Sequence, residues 1–174
     1  MNSSEIRKQI GDIGEMLTVK YFEKKNMAPK LSEDYYDDEK DLTVNGNEKV
    51  EVKTMVPKAW FKHPDYSGFT EVFTIGENQM FKCENAEHLI FVQIPYFNEN
   101  AVRIYRAKKV DGKLKLVRTN SSNGVRTIGL PIRECELLAE MQSPGGAEKL
   151  RTLSIALSGP KFLNAPPHQY IGEQ

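Results

Sequence analysis

The chain lacks most of the features that would assign it to a class at once. Its 174 residues include only two cysteines, Cys83 and Cys135. They form neither a disulfide framework nor a metal spacing, which suits a reducing cytosol. The three histidines, His63, His88 and His168, are scattered, which argues against a zinc site. No apolar run approaches the roughly 20 residues of a membrane-spanning helix. The opening MNSSEIRK lacks the basic-then-apolar order of a secretory signal. A cytoplasmic location with no membrane partner is therefore expected. Net charge is lacking too, with 24 Lys and Arg against 24 Asp and Glu. That removes the simplest argument for a nucleic-acid partner.

What is present is ordinary for a globular protein: 39% hydrophobic and 28% charged residues. The length gives one domain over residues 1–174, with no repeat, low-complexity segment or clear boundary. The charges, however, are unevenly placed. Glu33, Asp34, Asp37, Asp38, Glu39, Asp41, Glu48 and Glu51 face only Lys40 and Lys49 in one stretch. Arg103, Arg106, Lys108, Lys109, Lys113, Lys115, Arg118 and Arg126 face only Asp111 in another. The two poles fit a metal site beside a phosphate-binding surface, but charge alone favours a pair of solvated faces.

Ile6, Ile10, Ile13, Leu17 and Tyr21 recur at helical spacing after the capping candidates Ser3 and Ser4, and Asn26 and Pro29 end the helix. Glu15 lies on a second face with Gly11, Thr18 and Phe22, which suggests that something approaches there. The segment LSEDYYDDEK is polar, DLTV begins a strand, and Asn45-Gly46-Asn47 signals a hairpin returning through VEVKT. MVPKAWFKHPDYSG reads as a long loop. A strand over residues 70–75, a short helix to about Asn85, and the strands HLIFVQIPY and AVRIYRA follow. KLKLVRT and VRTIGL give further strands. Helices are expected over Arg133–Met141 and from Pro144 to Ser158, then an extended tail after Gly159. This order is that of an α/β or α+β fold.

The hairpin register follows from the hydrophobic pattern. A three-residue loop pairs Val44 with Glu48, Leu42 with Val50 and Asp41 with Glu51. Leu42, Val44, Val50 and Val52 then share one face, and Asp41, Thr43, Lys49, Glu51 and Lys53 share the other. Loops of even length mix apolar and charged side chains. In the odd register Gly46 or Asn47 takes the left-handed position. Asp41 and Glu51 then have Cβ atoms about 4.5–5.5 Å apart. Such a pair needs a proton or a cation between its members. Magnesium, which takes one or two protein carboxylates and keeps several waters, suits the oxygens. Charges on a solvated hairpin face explain the same residues about as well.

Taken together, these residues resemble the PD-(D/E)XK nuclease superfamily, in its restriction-type or Mrr-like branch. GDIGEMLTVKYF matches the first helix with its glutamate, Glu15. Asp41 in KDLTV matches the aspartate, although Lys40 stands where proline is usual. Glu51-Val52-Lys53 matches the E-x-K element, and TEVFTI, a helix with Gln79, and HLIFVQI complete an α-β-β-β-α-β order. The match spans about Ile6–Ala107. It implies a restriction-endonuclease-like core, a mixed central sheet flanked by helices, and hydrolysis of a phosphodiester. By this resemblance Asp41 and Glu51 hold magnesium, which manganese can replace. The Val52 carbonyl is a further ligand, and Glu15 reaches a second metal or its water shell. Lys53 orients or deprotonates the attacking water or neutralises phosphate charge, and Gln79 steadies Lys53 or touches the backbone.

Outside that core, Lys58 and Lys62, among Trp60, Phe61 and His63, are candidate nucleic-acid contacts. Arg103, Arg106, Lys108 and Lys109 are candidate phosphate contacts. Asp37, Asp38 and Glu39 compete with Asp41 as ligands but precede the strand. The expectation is a magnesium-dependent endodeoxyribonuclease acting on duplex DNA, of restriction or homing type. A homodimer built on the C-terminal helices would supply two active sites. The alternatives are an inactive nucleic-acid-binding module of the same fold, a junction resolvase or repair nuclease, and a scaffold with a merely solubilising hairpin.

Overall fold

In a computed structural model of the chain, residues 1–33, 41–62, 69–120 and 126–165 are described. The Asp37, Asp38 and Glu39 alternatives lie outside these, as do His63 and the side chains of Trp60, Phe61 and Lys62. Helix α1 (Ser3–Lys24) is capped by Asn2, whose side chain accepts from the Glu5 amide at 2.9 Å. The cap is thus one residue earlier than the serines. Strands β1 (Lys30–Leu31), β2 (Leu42–Val44) and β3 (Glu48–Met55) follow, then β4 (Lys58–Lys62) and β5 (Phe69–Gly76). A 3₁₀ turn over Glu77–Gln79 leads into α2 (Met80–Asn85). Next come β6 (His88–Gln93), β7 (Ala101–Ala107), the ribbon β8 (Lys109–Val110) and β9 (Lys113–Leu114), β10 (Val117–Asn120) and β11 (Arg126–Pro131). Strand β12 (Cys135–Gln142), α3 (Pro144–Ser158) and a 3₁₀ turn over Lys161–Leu163 complete the described chain. No described helix is long and apolar enough to cross a membrane.

The architecture is mixed α/β, of the α+β kind. One six-stranded sheet has the order β1-β2-β3-β6-β7-β12, and a four-stranded sheet has the order β10-β11-β5-β4. All neighbours in the larger sheet are antiparallel except β3 and β6, which run parallel, so the sheet is mixed. A parallel pair needs a crossover connection. Here it contains β4, β5 and α2, so the hairpin strand β3 lies inside the sheet and not at its edge.

Both faces of the large sheet are covered. Helices α1 and α3 pack on one, where Ile6, Ile10, Leu17 and Phe22 meet Val50, Val52, Ile90, Val92, Ala147 and Leu150. On the other face Phe73 and Ile75 of β5 and Leu130 of β11 meet Leu89 and Phe91 of β6. Phe73 stacks on Phe91 with ring centroids 4.4 Å apart. Each such buried side chain contributes about 1.5–3 kcal/mol by leaving water.

Four expectations need correction. The buried stripe of α1 is Ile6, Ile10, Gly14, Leu17, Thr18 and Phe22, while Ile13 and Tyr21 are only partly buried. The helix is therefore turned toward its small residues, because strand β3 comes close to it at Gly14. Residues 58–62, read as loop, form β4 against β5. TEVFTI belongs to the four-stranded sheet, not to the sheet of the hairpin. Finally, Arg133–Met141 is not helical. After a 3₁₀ turn it becomes β12, paired along β7 with an irregularity between Leu137 and Ala139. Glu, Leu, Ala and Met favour helix, but ladder pairing with β7 outweighs that weak preference.

Candidate active site

The hairpin adopts the odd register: Leu42 pairs with Val50, Thr43 with Lys49 and Val44 with Glu48. Asn45 and Gly46 take positive φ, 51° and 87°, so the left-handed position falls one residue earlier than Gly46 or Asn47 alone would give. Leu42, Val44 and Val50 are fully buried on the α1 side. Glu51 and Lys53 consequently project to the opposite face, toward α2.

The ladder ends at Leu42, and Asp41 extends it with its side chain. Asp41 Oδ2 accepts the Val52 amide at 2.7 Å, while the Asp41 amide donates to the Val50 carbonyl at 3.0 Å. The strand that carries Glu51 and Lys53 thereby also holds Asp41.

Glu51 is the most deeply buried charged member of the site. Its residue is only 1% exposed, yet nothing in its sequence context distinguishes it from a surface glutamate. One oxygen, Oε1, meets Lys53 Nζ at 2.9 Å and Lys82 Nζ at 3.6 Å. The other, Oε2, is buried and has no hydrogen-bond partner among the described residues. Lys53 Nζ also donates to Gln79 Oε1 at 3.3 Å, so Gln79 stands where it can steady the lysine. Burial works to strip the proton from Lys53, but the Glu51 carboxylate outweighs it and the ammonium is held more firmly than usual.

Asp41 is pushed up to about 6, first by burial and then by the Glu51 charge, against the Val52 hydrogen bond and the lysines. Glu15, on the half-buried side of α1, is pushed up to about 7 by burial, then Asp41, Asp12 and Glu51. Three carboxylates thus share one neighbourhood with two ammoniums, and the excess negative charge falls on Asp41 and Glu15. Cys83 lies alongside, its thiol pushed up to about 11 chiefly by burial, which leaves it inert packing.

Close approach of α1 brings Glu15 to the site. A Cβ at Gly14 would stand 1.7 Å from Thr54 Oγ1, so only glycine lets the helix reach β3 there. The sequence had suggested such an approach on the Gly11 face, but Gly14 is where it occurs.

Lys82 had escaped the sequence reading. Its position three residues after Gln79 puts both on one face of the same short helical segment, a spacing that would have paired them. Arg103, Arg106, Lys108 and Lys109 fall elsewhere. Arg103 is bound to Glu140 and Arg106 meets Glu136 at 2.9 Å, both across the β7–β12 ladder, and Arg103 is also bound to Glu99 just before β7. Lys109 Nζ donates to the carbonyls of Glu84 and Ala86 and so closes the end of α2. Lys108 and Lys58 are exposed.

The donor set tests the fit of a metal. Among the described residues no group of three or more His, Cys, Asp or Glu is placed to hold a metal ion. Two carboxylates and an orphaned buried oxygen are fewer donors than a structural ion takes, and a hard cation held there would keep most of its shell as water. Comparison with protein-family models, curated proteins and solved structures finds no match for the chain.

Proposed function

We propose that the protein is a magnesium-dependent nuclease of the PD-(D/E)XK kind, hydrolysing phosphodiester bonds in DNA. The observation that carries this reading is Glu51: a buried carboxylate with two lysines on one oxygen and, among the described residues, no partner on the other, beside two acids raised chiefly by burial, to which its charge adds. The topology supports it as well. Helix α1, the strands β1, β2 and β3, helix α2 and the parallel strand β6 give the α-β-β-β-α-β order around one sheet. In this arrangement β1, and not TEVFTI, supplies the third strand.

Asp41 and Glu51 would hold the ion, with the Val52 carbonyl beside them and Glu15 toward its water shell. When bound, magnesium supplies charge to the scissile phosphate and lowers the pKa of its water. Lys53, kept protonated by Glu51, serves to orient that water or to neutralise phosphate charge, in preference to removing a proton. Gln79 and Lys82 fix the lysine and the glutamate respectively. DNA is the proposed substrate, duplex in the first instance.

A second reading has its own observation. Lys53 and Lys82 already compensate Glu51 without a metal, which is how a purely structural ion-pair cluster is built. That arrangement suits an inactive nucleic-acid-binding module. Incubation of supercoiled, linear duplex and single-stranded DNA with magnesium, manganese or EDTA separates the two, run with wild type, Glu51→Ala and Lys53→Ala. Metal-dependent cutting lost in both variants supports the nuclease. DNA binding without cutting supports the module.

A further inference from the structure

A cavity of about 540 Å³ opens beside the catalytic strand, between the first turns of α1, the end of α3 and the last residues of β3. Its size lies within the roughly 300–1,000 Å³ of small-molecule sites. Ile10, Val52 and Ile94, all buried, form an apolar floor. The exposed rim carries Arg7, Lys58 and Phe162, and Lys53 connects the cavity to the site described above. Among the described residues no carboxylate lines it. Phe162 is 45% exposed, and Lys161 Nζ sits 4.7 Å from its centroid.

Apolar floor, exposed aromatic and cationic rim are the chemistry of a nucleotide. The floor and Phe162 suit the two faces and edge of a base, and the cations suit its phosphates. We propose that this cavity receives one nucleotide of the substrate strand, unstacked beside the scissile phosphate. The inference rests on the nuclease reading and narrows its substrate to strands in which a nucleotide is unpaired or readily extruded. Extrusion costs least at mismatches, bulges and single strands, so selectivity for those follows from the pocket itself.

Gly11 provides the test, because it lines the cavity and a Cβ there meets nothing within 4 Å. Gly11→Phe fills the space from α1, and Ser154→Trp fills it from α3 should the first variant misfold by circular dichroism. Binding of dAMP to the whole protein in EDTA is compared with that of inorganic phosphate. Cleavage of a bulged duplex is compared with that of the perfect duplex in magnesium. The expected result is dAMP binding at least tenfold tighter than phosphate and bulged DNA cut at least tenfold faster, both advantages lost in the filled variants. Equal binding of dAMP and phosphate, with equal cutting of both duplexes, overturns the pocket and leaves the nuclease standing. If dAMP binding is lost on filling but no DNA is cut under any condition, the strand-nucleotide proposal falls together with the nuclease, and only a free-nucleotide site remains.

Discussion

Val52 donates its amide to Asp41 Oδ2 at 2.7 Å, so the aspartate that would bind the metal also terminates the β2–β3 ladder. Its two roles can be separated. Asp41→Asn keeps an oxygen acceptor and removes a charge that Glu51 opposes, so it should be at least as stable as wild type. Asp41→Ala leaves the amide unpaired and should cost about 1–3 kcal/mol. Thermal melts of the two variants check this, and a similar loss in both would contradict it.

Glu51 should behave as a buried charge on which two lysines depend. Glu51→Gln leaves Lys53 and Lys82 without their shared carboxylate and is expected to cost about 3 kcal/mol in urea unfolding. Lys82→Met keeps the Lys53 pair and should cost clearly less, while slowing cleavage by about tenfold through a less firmly held Glu51. An equal cost in both variants would show that Lys53 alone does not sustain Glu51.

Two glycines in one helix should respond in opposite directions. At Gly14 an added methyl collides with Thr54, and overpacking of this kind costs about 1–3 kcal/mol. At Gly11 it meets open space, so Gly11→Ala should stabilise by about 0.5–1 kcal/mol. Gly14→Ala should also reduce cleavage, because Glu15 rides on the same turn. Thr54→Ala in the Gly14→Ala background should recover part of the stability, which a double-mutant cycle measures.

The raised acids give a pH signature. Asp41, at about 6 folded against 3.8, and Glu15, at about 7 against 4.5, both bind protons more tightly when folded. Their contribution is full below the ordinary carboxylate values and is lost as pH rises through about 6 and 7. Without metal, the melting temperature should therefore rise between pH 7.5 and pH 5. Magnesium competes with those protons, so its affinity should fall at least about tenfold over the same interval. Calorimetric titration at the two pH values checks both signs.

The parts legible in the sequence were those in which local pattern and tertiary need agree. Leu42, Val44, Val50 and Val52 alternate strictly, so the hairpin register followed from them and the structure has it. That register puts Glu51 and Lys53 on one face, but the ladder stops at Leu42, so the expected pairing of Asp41 directly opposite Glu51 does not form and Asp41 is held by Val50 and Val52 instead. The central helix stripe was off by a fraction of a turn, because Gly14 and Thr18 are buried without being apolar. Cys135–Gln142 was misread because Glu, Leu, Ala and Met prefer helix, and with it went the partners of Arg103 and Arg106. Lys30–Leu31 is too short to show a period at all. The burial of Glu51 was invisible for another reason: the four-stranded sheet and α2 that cover its face come from segments distant in sequence.

The most direct test is single-turnover DNA cleavage by wild type and Asp41→Asn, with magnesium and with EDTA, after melts have shown that both are folded. The account predicts cutting by wild type in magnesium alone, with the asparagine variant at least about 100-fold slower. Equal rates for the two proteins, or cutting that survives EDTA, would contradict it.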